Sequence, residues 1–261
     1  MYAYLIPKVV FLCGLLYFLI PSLNAESFRH LDGTNGLSGG SVIGMEQDSA
    51  GFIWLFTSKG LDRFDGTQVR HYPLGEGVLS SQILPFIRMS SDRDRQIWVS
   101  LRSGKMFRYD EDRDRFSLEV DLPDRLLNDF VFDEENRLWL CLFDGLYRWD
   151  KKAGRLSPAY AFPGEIVRRI IQVDARTFFV SASDQLYKIR LSDDLETVTS
   201  RERIPLPEEL RIESLYIYNN RLYIGTFAKG VFRLDLRSGE LSRLTDIPTA
   251  PVLAITAVPG K

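Results

Sequence analysis

"IWLFTSKGLDRFD", Ile53 to Asp65, returns along the chain as "IWVSLRSGKMFRYD" from Ile97, "LWLCLFDGLYRWD" from Leu138, "FFVSASDQLYKIR" from Phe178 and "LYIGTFAKGVFRLD" from Leu222. The aligned aromatics Trp54, Trp98, Trp139, Phe179 and Tyr223 stand 44, 41, 40 and 44 residues apart. One unit is therefore written five times, at a period that suits a four-stranded propeller blade. Within the first unit the runs Val42–Gln47, Ile53–Thr57, Leu61–Phe64 and Gln68–Tyr72 are separated by the turns "DSAG", "SKG" and "DGT". Runs this short, punctuated by glycine and aspartate, predict strands rather than helices.

The third run of each unit alternates apolar with basic residues, as in Leu61 and Arg63, Met106 and Arg108, Leu146 and Arg148, Leu186 and Lys188, and Val231 and Arg233. A period of two puts each such pair on one face of a strand, with Phe107 and Tyr109, Tyr147 and Trp149, or Phe232 and Leu234 on the other. Both faces carry large groups, so the sheets are expected to stack face to face. Gly60, Gly104, Gly145 and Gly230 precede these runs, with Lys105 as one extra residue in the second unit. They mark turn positions where a positive φ is expected. The fourth unit has Gln185 in that place, Phe179 for tryptophan, and Arg190 where the others have Asp65, Asp110, Asp150 and Asp235. It reads as a degenerate blade with a distorted turn.

The fold class that follows is all-β: five blades, at roughly 39–75, 76–120, 121–160, 161–203 and 204–246, and the start of a sixth at 247–261. "SFRHLDGTNGLS", Ser27 to Ser38, reads as a last strand and its linker, of the kind that closes a propeller from the N-terminal end. "PTAPVLAITAVPGK" aligns with "LSGGSVIGMEQDS" as the opening of a further blade. A single opening strand leaves its backbone groups unpaired, so the sequence reads as a fragment of a larger propeller.

The first 25 residues are of another kind. One charge, Lys8, leads into the apolar run Val9 to Ile20 and then "PSLNA", the pattern of an export signal cut after Ala25. An uncleaved anchor is the alternative reading. Export places residues 26–261 in the periplasm, with membrane contact through the leader or through a span outside this sequence. Cys13 lies in the leader, which leaves Cys141, in "LWLCLF", as a small buried apolar residue with no partner for a disulfide.

Composition excludes some classes. With 33 Lys and Arg against 35 Asp and Glu, the basic residues are spread one per strand rather than clustered. No nucleic-acid partner is implied. Asp110, Asp112 and Asp114 in "DEDRDRF" have the alternating spacing of calcium loops, but Arg115 stands where such a loop needs glycine, and a solvated hairpin turn is expected. The two histidines, His30 and His71, both follow the pattern of last-strand residues in different blades and lack an evident carboxylate partner. The basic series from Arg63 to Arg233 is expected to make salt bridges rather than anion sites. No catalytic, cofactor-binding or metal-ligating residue is assigned, and no residue is assigned to a ligand.

"GLSGGSVIGMEQDSAGFIWLFTSKGLDRFDG", Gly36 to Gly66, resembles the two-component regulator propeller repeat of bacterial periplasmic sensors. The second, third and fifth units fit it fairly. That resemblance implies a seven-bladed propeller, often two in tandem, then an immunoglobulin-like domain, a transmembrane helix and a cytoplasmic output module. Outputs of the family include histidine kinases with response-regulator parts and diguanylate cyclases. It implies a periplasmic sensor whose partners are an unidentified ligand and the downstream domains of the same receptor, with any kinase or cyclase beyond residue 261. Streptogramin lyases resemble the same repeats, and their chemistry would need acid and base groups on the inner strands. A plain interaction scaffold is the third reading.

Overall fold

The computed structural model describes residues 30–72 and 87–255. The leader, the first part of the N-terminal closing segment, residues 73–86 and the last six residues of the sixth unit lie outside the described residues. The chain divides into two compact units, Met1–Leu31 and Asp32–Lys261, and all the described strands belong to the second.

Among the described residues, twenty strands form five four-stranded antiparallel sheets, each ordered as in the sequence. Blade one comprises β1 (Val42–Gln47), β2 (Ile53–Thr57), β3 (Gly60–Phe64) and β4 (Val69–Tyr72). Blade two comprises β5 (Arg88–Ser91), β6 (Ile97–Ser100), β7 (Lys105–Asp110) and β8 (Arg115–Asp121). Blade three comprises β9 (Leu127–Phe132), β10 (Leu138–Leu142), β11 (Gly145–Asp150) and β12 (Arg155–Ala161). Blade four comprises β13 (Val167–Asp174), β14 (Thr177–Ala182), β15 (Gln185–Leu191) and β16 (Val198–Ile204). Blade five comprises β17 (Ile212–Tyr218), β18 (Arg221–Thr226), β19 (Val231–Asp235) and β20 (Leu241–Arg243). The expected all-β propeller architecture is present, and the only described helical element is the 3-10 turn Gly33–Asn35.

Each core lies between two consecutive sheets. Trp54, Phe56 and Leu61 of blade one pack with Ile97, Val99 and Tyr109 of blade two. Trp98 and Met106 pack with Leu138 and Leu140, Trp139 and Leu146 with Phe178 and Val180, and Phe179 and Leu186 with Leu222 and Ile224. The first four anchor aromatics thus pack against the following blade. Tyr223 is only half-buried, because no further blade stands beside blade five among the described residues.

The three anchor tryptophans, Trp54, Trp98 and Trp139, share a polar device that the sequence reading missed. Asp48, Asp92 and Asp133, each six residues ahead of its tryptophan, accept the indole N–H at 2.7, 3.0 and 2.8 Å. The same carboxylates cap the turn between the first two strands, accepting the backbone N–H of Phe52, Gln96 and Arg137. A buried indole N–H needs such a partner. Where phenylalanine or tyrosine replaces tryptophan, the aspartate goes too: Val173 and Ile217 occupy its place.

Several expectations need correction. Gly60, Gly104 and Gly230 have positive φ, of 146°, 86° and 72°, but Gly145 does not. Its absent side chain matters instead because a Cβ there would lie 2.6 Å from the Tyr160 carbonyl oxygen. The fourth blade keeps all four strands, and its departures are local, with a register shift at Arg190/Leu191. Ala182 pairs directly with Gln185 across a two-residue turn in which Ser183 takes φ 49°. Its outer turn is rebuilt around Ser192 and Asp194, which accept the N–H groups of Thr197 and Glu196. Those bonds do the work that Asp65, Asp150 and Asp235 do in the other blades.

Candidate functional site

The first strands of all five blades, β1, β5, β9, β13 and β17, line one shared cavity of about 750 Å3, joined by Leu253, Ala254 and Ile255. This is the central channel. Residues 253–255 occupy the place that the first strand of a following blade would take, and Val252 donates its N–H to the Thr226 carbonyl at the end of β18. The sequence reading aligned that segment with an opening strand; it makes this contact, but the described part has no ladder of its own.

Charge is concentrated on the channel wall. Arg88, Asp129 and Arg169 hold the same register position in successive blades, opposite Ser100, Cys141 and Ser181. Glu213 joins them from the irregularity between Ile212 and Ser214 in β17, where a bulge re-aims the side chain. The order around the wall is Arg, Asp, Arg, Glu. Arg169 binds the Glu213 carboxylate at 3.0 Å and donates to the backbone carbonyls of Glu213 and Arg168, while Asp129 accepts the Ile170 N–H at 3.1 Å. Burial pushes the Asp129 carboxyl up, although the Arg169 and Arg88 guanidinium groups pull it back. Burial also lowers Arg88 to about 10, reinforced by Arg169 and opposed by Asp129 and Glu213. The Arg169–Glu213 pair ties blade four to blade five, and Asp129 lies in the field of both arginines in a partly dry site.

Glu46 on β1 lies at the same wall, its carboxyl pushed up to about 7 by burial against the pull of Ser91 and Arg95. The folded protein holds this proton more tightly than the unfolded chain does. Stability from this group is therefore full below the unfolded value and is lost as pH rises toward 7. Glu46→Gln is expected to match wild type near pH 4 and to exceed it by about 1–2 kcal/mol near pH 8, partial exposure limiting the gain. Urea midpoints across that range measure it, and parallel pH profiles for the two proteins would refute it.

The residues singled out in the sequence mostly lie elsewhere. His71, on the outermost strand β4, bonds Asp62 of β3 at 3.0 Å, so it has the carboxylate partner that the sequence did not reveal. Asp62 is fully buried and also accepts the N–H and hydroxyl of Ser38. That set ties the segment before β1 to blade one. His30 is exposed and outside any strand, contrary to the last-strand placement expected for it. No histidine lines the channel among the described residues. Asp110 caps Arg113, whereas Asp114 accepts the hydroxyls of Tyr72 and Tyr109, so the three aspartates of "DEDRDRF" do not converge. Of the basic series, Arg63 meets Tyr109 and Asp114, Arg108 meets Glu119, Arg148 meets Glu196, and Arg233 reaches the Ser242 hydroxyl. Lys188 is exposed. Cys141 is fully buried, and burial, with Asp129 nearby, raises its thiol well above the ordinary value.

The channel charges lie on first strands, outside the alternation of apolar and basic residues that marks the third strands. A signal was present: Arg88, Asp129, Arg169 and Glu213 each stand ten residues before their blade's anchor aromatic.

No family model and no curated protein matches the sequence. Solved structures do match the fold. The extracellular domain of BT4673 of B. thetaiotaomicron, assigned as a one-component system, superposes with a TM-score of 0.64 at 17% identity, covering 83% of this chain and 31% of its own. That of BT3049, assigned as a hybrid two-component system of the same organism, gives 0.64 at 20% identity over 82% and 31%. Virginiamycin B lyase from Staphylococcus aureus gives 0.59 at 13% identity over 76% and 67%. The chain spans about a third of the length of the two regulator domains. It has the β-propeller blade architecture found in the extracellular domains of those regulatory systems.

Proposed function

We propose that this chain is the exported sensor portion of a membrane signalling receptor, and that a ligand is recognised at the central channel. The observation that carries this reading is the channel wall. Charged residues at repeat-equivalent positions converge there on a cavity large enough for a small molecule. The fold shared with extracellular regulator domains supports the receptor context. Binding would signal by favouring one arrangement of the receptor over another, because a ligand with equal affinity for both shifts nothing. A histidine kinase or diguanylate cyclase output would lie beyond residue 261.

The gene itself tests this. Its continuation past the Lys261 codon is expected to encode an apolar span of about 20 residues and an output domain. A stop codon directly after Lys261 would overturn the receptor reading.

A lyase-type reading has the His71–Asp62 pair and the virginiamycin B lyase likeness in its favour. The pair is on outer strands, however, and Asp62 already binds Ser38. Turnover by the purified chain that disappears in His71→Ala would favour the enzyme instead.

A further inference from the structure

The repeat supplies an internal control for how two blades meet at their outer edge. Between blades one and two, the Trp54 ring is covered by Tyr109 at 4.6 Å, Tyr72 at 4.9 Å and Phe116 at 5.4 Å. Arg63 lies over this cluster, 5.2 Å from the Tyr72 ring centre, and Asp114 accepts both tyrosine hydroxyls. That interface is plugged with rings, a cation and an anion.

Between blades two and three the same positions hold smaller or different groups. Register puts Val120 in the place of Tyr72 and Leu156 in the place of Phe116, because Leu61 pairs with Tyr72 as Met106 does with Val120, and Tyr109 with Phe116 as Trp149 does with Leu156. Gly154 stands where the first interface has Asp114. Arg108, the counterpart of Arg63, pairs with Glu119 and keeps its guanidinium 6.0 Å from the Trp98 ring centre. Beside these groups lies a cavity of about 390 Å3 against Trp98, Phe132, Leu138 and Trp149.

The polar rim of this cavity is biased in sign. Four basic side chains line it against two acids, which stay anionic while accepting neutral donors: Asp92 accepts the Trp98 indole and the N–H of Gln96, and Asp150 accepts the N–H of Lys152 and Ala153. Arg137 is paired with Asp133 and Glu135, and Arg148 with Glu196. Lys151 and Lys152, which replace Glu111 and Asp112 of the blade before, are exposed and make no ion pair among the described residues. An aromatic-walled slot with two free ammonium groups at its rim suits a flat apolar ring that carries a negative charge.

We propose that the gap between blades two and three, walled by Trp98 and Trp149 and rimmed by Lys151 and Lys152, is a binding site for a small aromatic carboxylate. The site is distinct from the central channel, and its failure would leave the receptor reading untouched.

Calorimetric titration of the full chain with indole-3-acetate tests it. Binding is expected at about 1 mM or tighter. Indole, which lacks the carboxylate, and glucuronate, whose ring is not aromatic, are each expected to bind about tenfold more weakly or not at all. Charge reversal in K151E/K152E is expected to weaken indole-3-acetate by about tenfold, and V120Y/L156F, which restores the ring set of the first interface, to abolish it. The lysine variant alters only exposed residues, so it decides the matter even if the filled variant fails to fold. Absence of binding at millimolar probe, glucuronate binding tighter than indole-3-acetate, or unchanged affinity in K151E/K152E or in folded V120Y/L156F would each overturn the proposal.

Discussion

Trp139→Ala is expected to lower the unfolding free energy by about 3–5 kcal/mol, the range for truncating a large buried aromatic. Trp139 is fully buried, packs 5.3 Å from the Phe178 ring, and donates its indole N–H to Asp133, itself without exposed surface. Alanine removes the contact that joins blade three to blade four and leaves the Asp133 carboxylate one donor short. Asp133 keeps Arg137, so the residual charge is not stranded, and the loss should come chiefly from the cavity. Urea denaturation of the full chain measures it. A loss under about 1 kcal/mol would mean that the blades do not depend on their anchor aromatics.

Arg169→Ala should be comparably damaging, at about 3–5 kcal/mol, for an electrostatic reason. Its guanidinium is 9% exposed and bridges three blades: it leaves β13 to bind Glu213 of blade five and offsets Asp129 of blade three. Removal leaves Glu213 with Arg211 alone and Asp129 with Arg88 alone, in a partly dry wall. Truncating one member of a buried ion set is costly because the survivor remains desolvated. The double variant Arg169→Ala with Glu213→Ala should recover part of the loss, and the size of that recovery reports the coupling. A single variant as stable as wild type would show that the charges do not hold the blades together.

The strands were legible because two short-range signals agreed. Period-two alternation in "LDRF", "MFRY" and "LYRW" set which residues face a neighbouring sheet, and glycine or aspartate marked each turn. All four strands of blade one fall within one residue of their expected bounds. The indole-capping aspartates were equally available, at a fixed six-residue offset, but their role becomes visible only once the turn folds the carboxylate back onto the ring.

Other features were not available at that range. The fourth blade departs from the repeat at Gln185 and Arg190, and its ladder shifts register at Arg190/Leu191, yet all four strands still pair in order, because sheet pairing and interblade burial outweigh local turn preference. His71 acquires a carboxylate because Asp62 is its partner across the ladder, nine residues away. Nothing in the neighbourhood of "RHY" announces it.

By itself the sequence determined the number of units, their strands and the faces that stack, because those depend on alternation and turn chemistry within some forty residues. Tertiary structure alone decided that Arg88, Asp129, Arg169 and Glu213 meet around a channel, and that one blade interface is plugged while the next is open. Those outcomes depend on how side chains from different repeats fill shared space, and radial stacking brings together residues that no local spacing relates.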